Sequence, residues 1–124
     1  MSKVDKFENL FIGQKTFKLS REIYKITKNE SFSRDWGLQN QIRRAAVSVM
    51  SNIAEGFERY RNQDFAHFLA IARDSCVEVK SQLYLEKSLE YIFEDDFRKL
   101  HKLCFFLSGK IGKFRGSMNK RGIQ

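Results

Sequence analysis

No proline occurs anywhere in this chain, and only Gly13, Gly37 and Gly56 precede residue 109. Proline breaks a helix because it lacks the N–H and its ring collides with the preceding turn. Long unbroken helices are therefore open to almost the whole sequence, and hydrophobic spacing decides where they fall. In the first segment Ile12, Thr16, Leu19, Ile23 and Ile26 advance by alternating steps of four and three. Such steps keep residues on one face of a helix, whereas a strand would alternate by two. A helix over about 8–28 follows.

The same arithmetic recurs three times. Ile42, Ala45, Val49, Asn52 and Gly56 predict a second helix over about 38–60. Phe65, Leu69, Ala72, Cys76, Val79 and Leu83 predict a third over about 63–90, with Asn62 as its N-cap and Asp64 in its first turn. Phe97, Leu100, Cys104, Leu107, Ile111 and Phe114 predict a fourth over about 95–115, opened by the acidic run Glu94, Asp95, Asp96. Between the first two helices, Asn29 to Gly37 reads as a polar connection, with Phe32 and Trp36 plugging the end of the core. The other links are short, so successive helices fold back on one another. The expected architecture is all-α, an antiparallel up-down-up-down four-helix bundle forming a single domain over 1–124, with a basic C-terminal tail at 116–124.

Chain length suits one domain with a real core. The twelve phenylalanines supply apolar bulk that disordered segments lack. No run of apolar residues approaches a membrane span, and the N-terminal residues carry no signal-peptide core, so a cytoplasmic protein without membrane contact is expected. Cys76 and Cys104 occupy apolar helical positions and read as buried thiols. With 23 Lys and Arg against 15 Asp and Glu, the net charge of +8 favours nucleic acid or an acidic partner, or else marks a solvated basic surface.

Residues for catalysis are hard to find. Asp64 and His67 share the three-residue spacing with which di-iron bundles aim two ligands inward, but His67 lies off the core stripe. The other histidine, His101, follows Arg98 at that spacing. Neither a Gly-x-Ser-x-Gly elbow nor a phosphate-cradling loop is present. Glu55 and Arg59 are spaced as a helix ion pair. We expect no enzyme, no cofactor and no metal.

Three features are more informative. Asn52 sits where the seam wants an apolar residue, so it needs partners, for which Ser75 and Gln82 are candidates. Gly56 lacks a side chain in mid-helix, at about 1 kcal/mol of propensity against alanine, and predicts a close approach by another backbone. Ala46, Met50, Ile53, Phe57 and Tyr60 form a second apolar stripe on the same helix, wider than one seam requires. At the C-terminus Lys110, Lys113, Arg115, Lys120 and Arg121 accompany no acid from residue 110 onward, a composition suited either to tracking phosphates or to a solvated end.

The block Gln41-Ile42-Arg43-Arg44-Ala45-Ala46-Val47-Ser48-Val49-Met50-Ser51-Asn52-Ile53-Ala54-Glu55-Gly56-Phe57 strongly resembles the signature of the 23S rRNA intervening-sequence proteins. The likeness continues through Arg59, Asp64-Phe65, Phe68-Leu69, Ile71-Ala72-Arg73, Ser75, Glu78, Gln82 and Leu83. Met50 departs from a frequent proline and Asp74 from a frequent glycine. The resemblance implies a bacterial four-helix bundle assembled as a homopentameric barrel. A related accessory protein of diversity-generating retroelements implies binding to nucleic acid and to a reverse transcriptase. On this reading the second stripe meets a neighbouring subunit, and a ring of such chains binds RNA or DNA through phosphates without reading bases. The alternative is a protein-interaction adaptor. Arg43 and Arg44 fit either structural pairing with Glu55 or Glu78, which we take as the expectation, or phosphate contact.

Overall fold

The computed structural model describes the backbone of residues 6–59 and 62–123 and the side chains of residues 11–59 and 63–116. Among the described residues there are five helices and no strand: α1 (Lys6–Ile26), α2 (Glu30–Ser33), α3 (Trp36–Phe57), α4 (Asn62–Ser88) and α5 (Glu94–Ile123). The four long helices lie within a few residues of the spacing-derived ranges except at the C-terminus. There α5 continues through the segment expected to be a free tail. Gly112 and Gly116 weaken helix propensity without ending the helix, because only proline removes the backbone donor outright. The expected N-cap side chain, Asn62, lies outside the described residues.

The apolar stripes converge as their spacing demands. Ile12, Leu19, Ile23, Ile42, Val49, Leu69, Ala72, Val79, Leu83, Leu107 and Ile111 are all fully buried in one cluster. Each large aliphatic among them contributes roughly 1.5–3 kcal/mol by leaving water. Within that cluster α1 meets α3 and α5, while α4 meets α3 and α5. Ser20 donates to the Ala46 carbonyl at 3.2 Å, and Gln39 donates to the Thr27 carbonyl at 2.8 Å. Later positions on α1 thus meet earlier positions on α3, and the two run in opposite senses. The Ser48–Ser75 hydroxyl pair (2.8 Å) and the Tyr84–His101 pair (3.0 Å) join α3 to α4 and α4 to α5.

Asp35 caps α3 by accepting from the Leu38 N–H at 3.1 Å, and its other oxygen accepts from the Tyr91 hydroxyl at 3.0 Å. The expected polar connection contains the single turn α2, held because Phe32 is fully buried and rests 5.2 Å from the Tyr91 ring. Phe32 plugs the core end as expected. Trp36 does not: it is 74% exposed, because helix α3 begins at that residue and turns its ring outward.

The second stripe of α3 requires a correction. Ala46 is 0% and Ile53 1% exposed within the single chain, so neither is available to a neighbouring subunit. The wide apolar face arises because α3 contacts two helices, α1 and α4, and needs an apolar surface toward each. Met50 and Phe57 remain partly exposed, and Tyr60 lies outside the described residues.

Candidate nucleic-acid interface

The inward face of α1 fixes what its outward face must be. With Ile12, Thr16, Leu19, Ile23 and Ile26 buried, the positions rotated away from them are Lys18, Arg21, Lys25 and Lys28, spaced three, four and three and all exposed. Lys18, Arg21 and Lys25 form a basic ridge along α1, and Lys28 continues it just past the helix end. Lys15 extends it, its ammonium 5.4 Å from the centroid of the Phe11 ring. On the α5 side Lys99 and Lys102 line a shared groove with Phe11, Lys15, Lys18 and Phe106. Phe11 and Phe106 meet edge to face at 5.8 Å in this groove. Glu22 is ion-paired on both flanks, 3.7 Å from Lys25 and 3.5 Å from Lys99.

This ridge was legible in the sequence but lies on the face opposite the apolar repeat. The cations expected from the sequence to contact phosphates are instead the C-terminal lysines and arginines. Of those, Lys113 and Arg115 are exposed on α5 and Lys110 is partly buried there, while the side chains of Lys120 and Arg121 lie outside the described residues.

The signature residues fall into different roles. Arg43 does not reach Glu55 or Glu78. Its Nε donates to Thr27 Oγ1 at 2.8 Å, and its guanidinium covers the Tyr24 ring at 4.4 Å. Arg44 is exposed. The two face a groove between α1 and α3 lined by Tyr24, Asn40, Val47 and Ser48. Glu55 is instead ion-paired with Arg59, whose guanidinium sits 4.8 Å over the Phe68 ring. Glu78 is exposed and accepts from Gln82 Nε2 at 3.1 Å.

Asn52 also differs from expectation. Its amide donates to the Ser48 carbonyl at 2.8 Å and to Ser48 Oγ at 3.1 Å, one turn back on its own helix. Ser75 joins only through Ser48, and Gln82 takes no part. The local route satisfies the amide because a partly exposed seam position is within reach of its own i−4 carbonyl. Gly56 does mark a close approach, made by side chains: an added Cβ would stand 2.8 Å from a Phe65 ring carbon and 3.3 Å from the Phe68 Cβ.

The two histidines stand apart. His67 is exposed, edge-on to Phe68, and His101 is paired with Tyr84. Among the described residues no three His, Cys, Asp or Glu side chains could hold a metal ion together, and no helix is long and apolar enough to cross a membrane. Cys76 and Cys104 are buried free thiols, with Cys76 Sγ 3.7 Å from the Cys104 carbonyl oxygen. The hydrogen bond to Cys76, and then burial, hold the Cys104 thiol far above its ordinary value.

An all-helical chain with a basic outer ridge and the long α3 signature defines a narrow class. The family model for the 23S rRNA-intervening sequence protein matches residues 8–113, and the chain belongs to that family. A solved structure from Bacteroides thetaiotaomicron VPI-5482, a protein with unknown function from the S23 ribosomal protein family, matches with a TM-score of 0.81 at 19% identity. The match covers 88% of this chain and 98% of that one. At that identity the likeness speaks for the fold alone. No curated protein matches the chain.

Proposed function

We propose that this protein is a non-enzymatic, self-assembling four-helix bundle that binds nucleic acid through phosphate contacts without reading sequence. The observation that carries this reading is the α1 ridge: Lys18, Arg21, Lys25 and Lys28 in a single exposed row, extended by Lys15, Lys99 and Lys102. Cations in a row match the regular charge of a nucleic-acid backbone, whereas recognition of bases needs side chains shaped to their edges. Phe11 and Phe106 add apolar surface in the groove against which an unstacked base can rest.

Assembly into a homopentamer is the second part of the proposal. It is supported by the outward apolar side chains of α4 and α5, among them Tyr84 and Phe105, the latter 67% exposed. Large aromatics in that position are better explained by a protein contact than by water. The same surface supports the adaptor reading, in which a partner protein takes the place of a second copy.

Filter binding of short RNA and DNA over a salt series tests nucleic-acid binding. Affinity should fall steeply with salt, with a logarithmic slope of roughly 0.7–0.9 for each phosphate neutralised. Replacing Lys18 and Arg21 by Glu should weaken binding to all sequences alike. Salt-independent binding, or none at low salt, overturns the reading. A protein partner that survives nuclease treatment and is lost on Phe105→Asp would favour the adaptor.

A further inference from the structure

Arginine on a helix surface is commonly neutralised by a carboxylate one turn away. Arg34, Arg59 and Arg98 follow that pattern with Glu30, Glu55 and Glu94. Arg21, Arg73 and Arg115 have no acid at that spacing, and neither do Arg43 and Arg44, which alone among these five adjoin one another. The residues one turn before or after Arg43 and Arg44 are Gln39, Asn40, Gln41, Ala46, Val47 and Ser48, none of them acidic. Neither arginine is ion-paired with any described residue.

We propose that Arg43 and Arg44 form a binding site for a phosphoryl group in the groove between α1 and α3. Asn40, Arg43, Arg44, Val47 and Ser48 line one face of α3 at three- and four-residue intervals, and Tyr24 of α1 closes the other side. Arg43 is already set in place. Thr27, a fully buried residue whose hydroxyl lies 2.9 Å from the Ile23 carbonyl oxygen, accepts from Arg43 Nε, while Tyr24 covers one guanidinium face. The Nη nitrogens are left as the donors still to be used. A fixed, planar, permanently charged fork loses little entropy on meeting a tetrahedral oxyanion, and it offers two parallel donors where lysine offers a point charge.

Arg44 adds a second positive charge beside the first, and the Asn40 amide supplies a neutral donor. No acid lines the groove. Two guanidinium groups without a counter-charge match a dianion better than a single carboxylate. A free phosphate, a terminal phosphate or one phosphate of a polynucleotide backbone presents the same group. Because Tyr24 belongs to α1, a strand lying on the ridge passes next to this site. The site deepens the nucleic-acid reading without requiring it.

The test is a titration of ¹⁵N-labelled protein, following the arginine Nε–Hε signals at constant ionic strength. Inorganic phosphate, acetate, chloride and a short 5′-phosphorylated RNA with its dephosphorylated twin are added in separate arms. We expect saturable shifts at Arg43 and Arg44, about tenfold weaker in Arg44→Gln, the loss of about one charge-assisted bond. Arg44 is exposed, so urea unfolding of this variant should match the parent. Saturation by inorganic phosphate, or by the phosphorylated RNA alone, identifies a free or terminal group. Equal response to both RNAs, with none to phosphate, identifies the backbone.

Absence of any saturable shift overturns the proposal, as does acetate acting as well as phosphate, which would assign the arginines to a carboxylate. The ridge variant carrying Lys18→Glu and Arg21→Glu separates the two claims. Loss of RNA binding there with the phosphate response intact leaves the site standing independently of the ridge.

Discussion

The carboxyl of Glu86 is fully buried on α4, and neither oxygen has a hydrogen-bond partner among the described residues. Burial, and then the nearby Asp35 charge, push its pKa up from 4.5 to about 8. The folded chain therefore keeps a proton that the unfolded chain releases. With respect to this group stability is fullest below 4.5, falls as pH rises toward about 8, and is level above. The loss across that window is at most on the order of 4–5 kcal/mol. Denaturant titrations at about pH 5 and about pH 8 should differ less for Glu86→Gln than for the parent. Gly56 gives a second expectation at this scale. An added methyl would press on the buried Phe65 ring at 2.8 Å. Overpacking of this kind costs about 1–3 kcal/mol, against about 1 kcal/mol returned by alanine's helix propensity. Gly56→Ala should thus be destabilising by about 1 kcal/mol in urea unfolding, the midpoint falling with little change in slope.

At the scale of elements, α4 ends in a turn that uses the wrong residue for its geometry. The Glu90 N–H donates to the Lys87 carbonyl and the Tyr91 N–H to the Glu86 carbonyl, at 3.0 and 2.9 Å, the paired bonds of a Schellman cap. Glu90 supplies the left-handed position, with φ at 60°, where glycine is favoured. Glu90→Gly should raise the unfolding midpoint, by up to about 1 kcal/mol of stability. This turn and α2 mark the limit of what hydrophobic spacing reveals. Four long helices were legible because a repeat over several turns is a strong signal. A four-residue helix has no repeat to read, and tertiary burial of Phe32 holds it. The inward residues of α3 were likewise visible, but which neighbour each would face was not. Of the second stripe, which suggested an outside partner, Ala46 and Ile53 are buried within the chain while Met50 and Phe57 stay partly exposed. The candidate site shows the complementary blind spot, since the ridge is written in residues that an apolar repeat skips over. The arginine groove depends on Tyr24 and Thr27, which only the pairing of α1 with α3 brings to Arg43.

For the whole molecule, the charge and the exposed aromatics make separate claims on the surface. The basic ridge lies on α1 and the side of α5 that carries Lys99 and Lys102, whereas Tyr84 is on α4 and Phe105 is on the side of α5 that meets Lys80 of α4. Assembly and polyanion binding can then occur together. Light scattering should give a mass five times the 14.7 kDa chain, shifted to smaller species by Phe105→Asp and unchanged by the charge-reversed ridge variant. A mass of one chain at micromolar concentration would exclude the ring. The same surface also contains its own attenuator. Glu22 is the one acidic side chain among the described residues of α1, and it draws on Lys25 and Lys99 at once. Any phosphate arriving at the ridge must compete with that carboxylate for two of its cations. Glu22→Gln should accordingly tighten RNA binding and steepen its salt dependence, a gain of function from deleting one charge. In the proposed ring every copy would carry the same brake, so a single codon would set how strongly the whole assembly holds a polyanion.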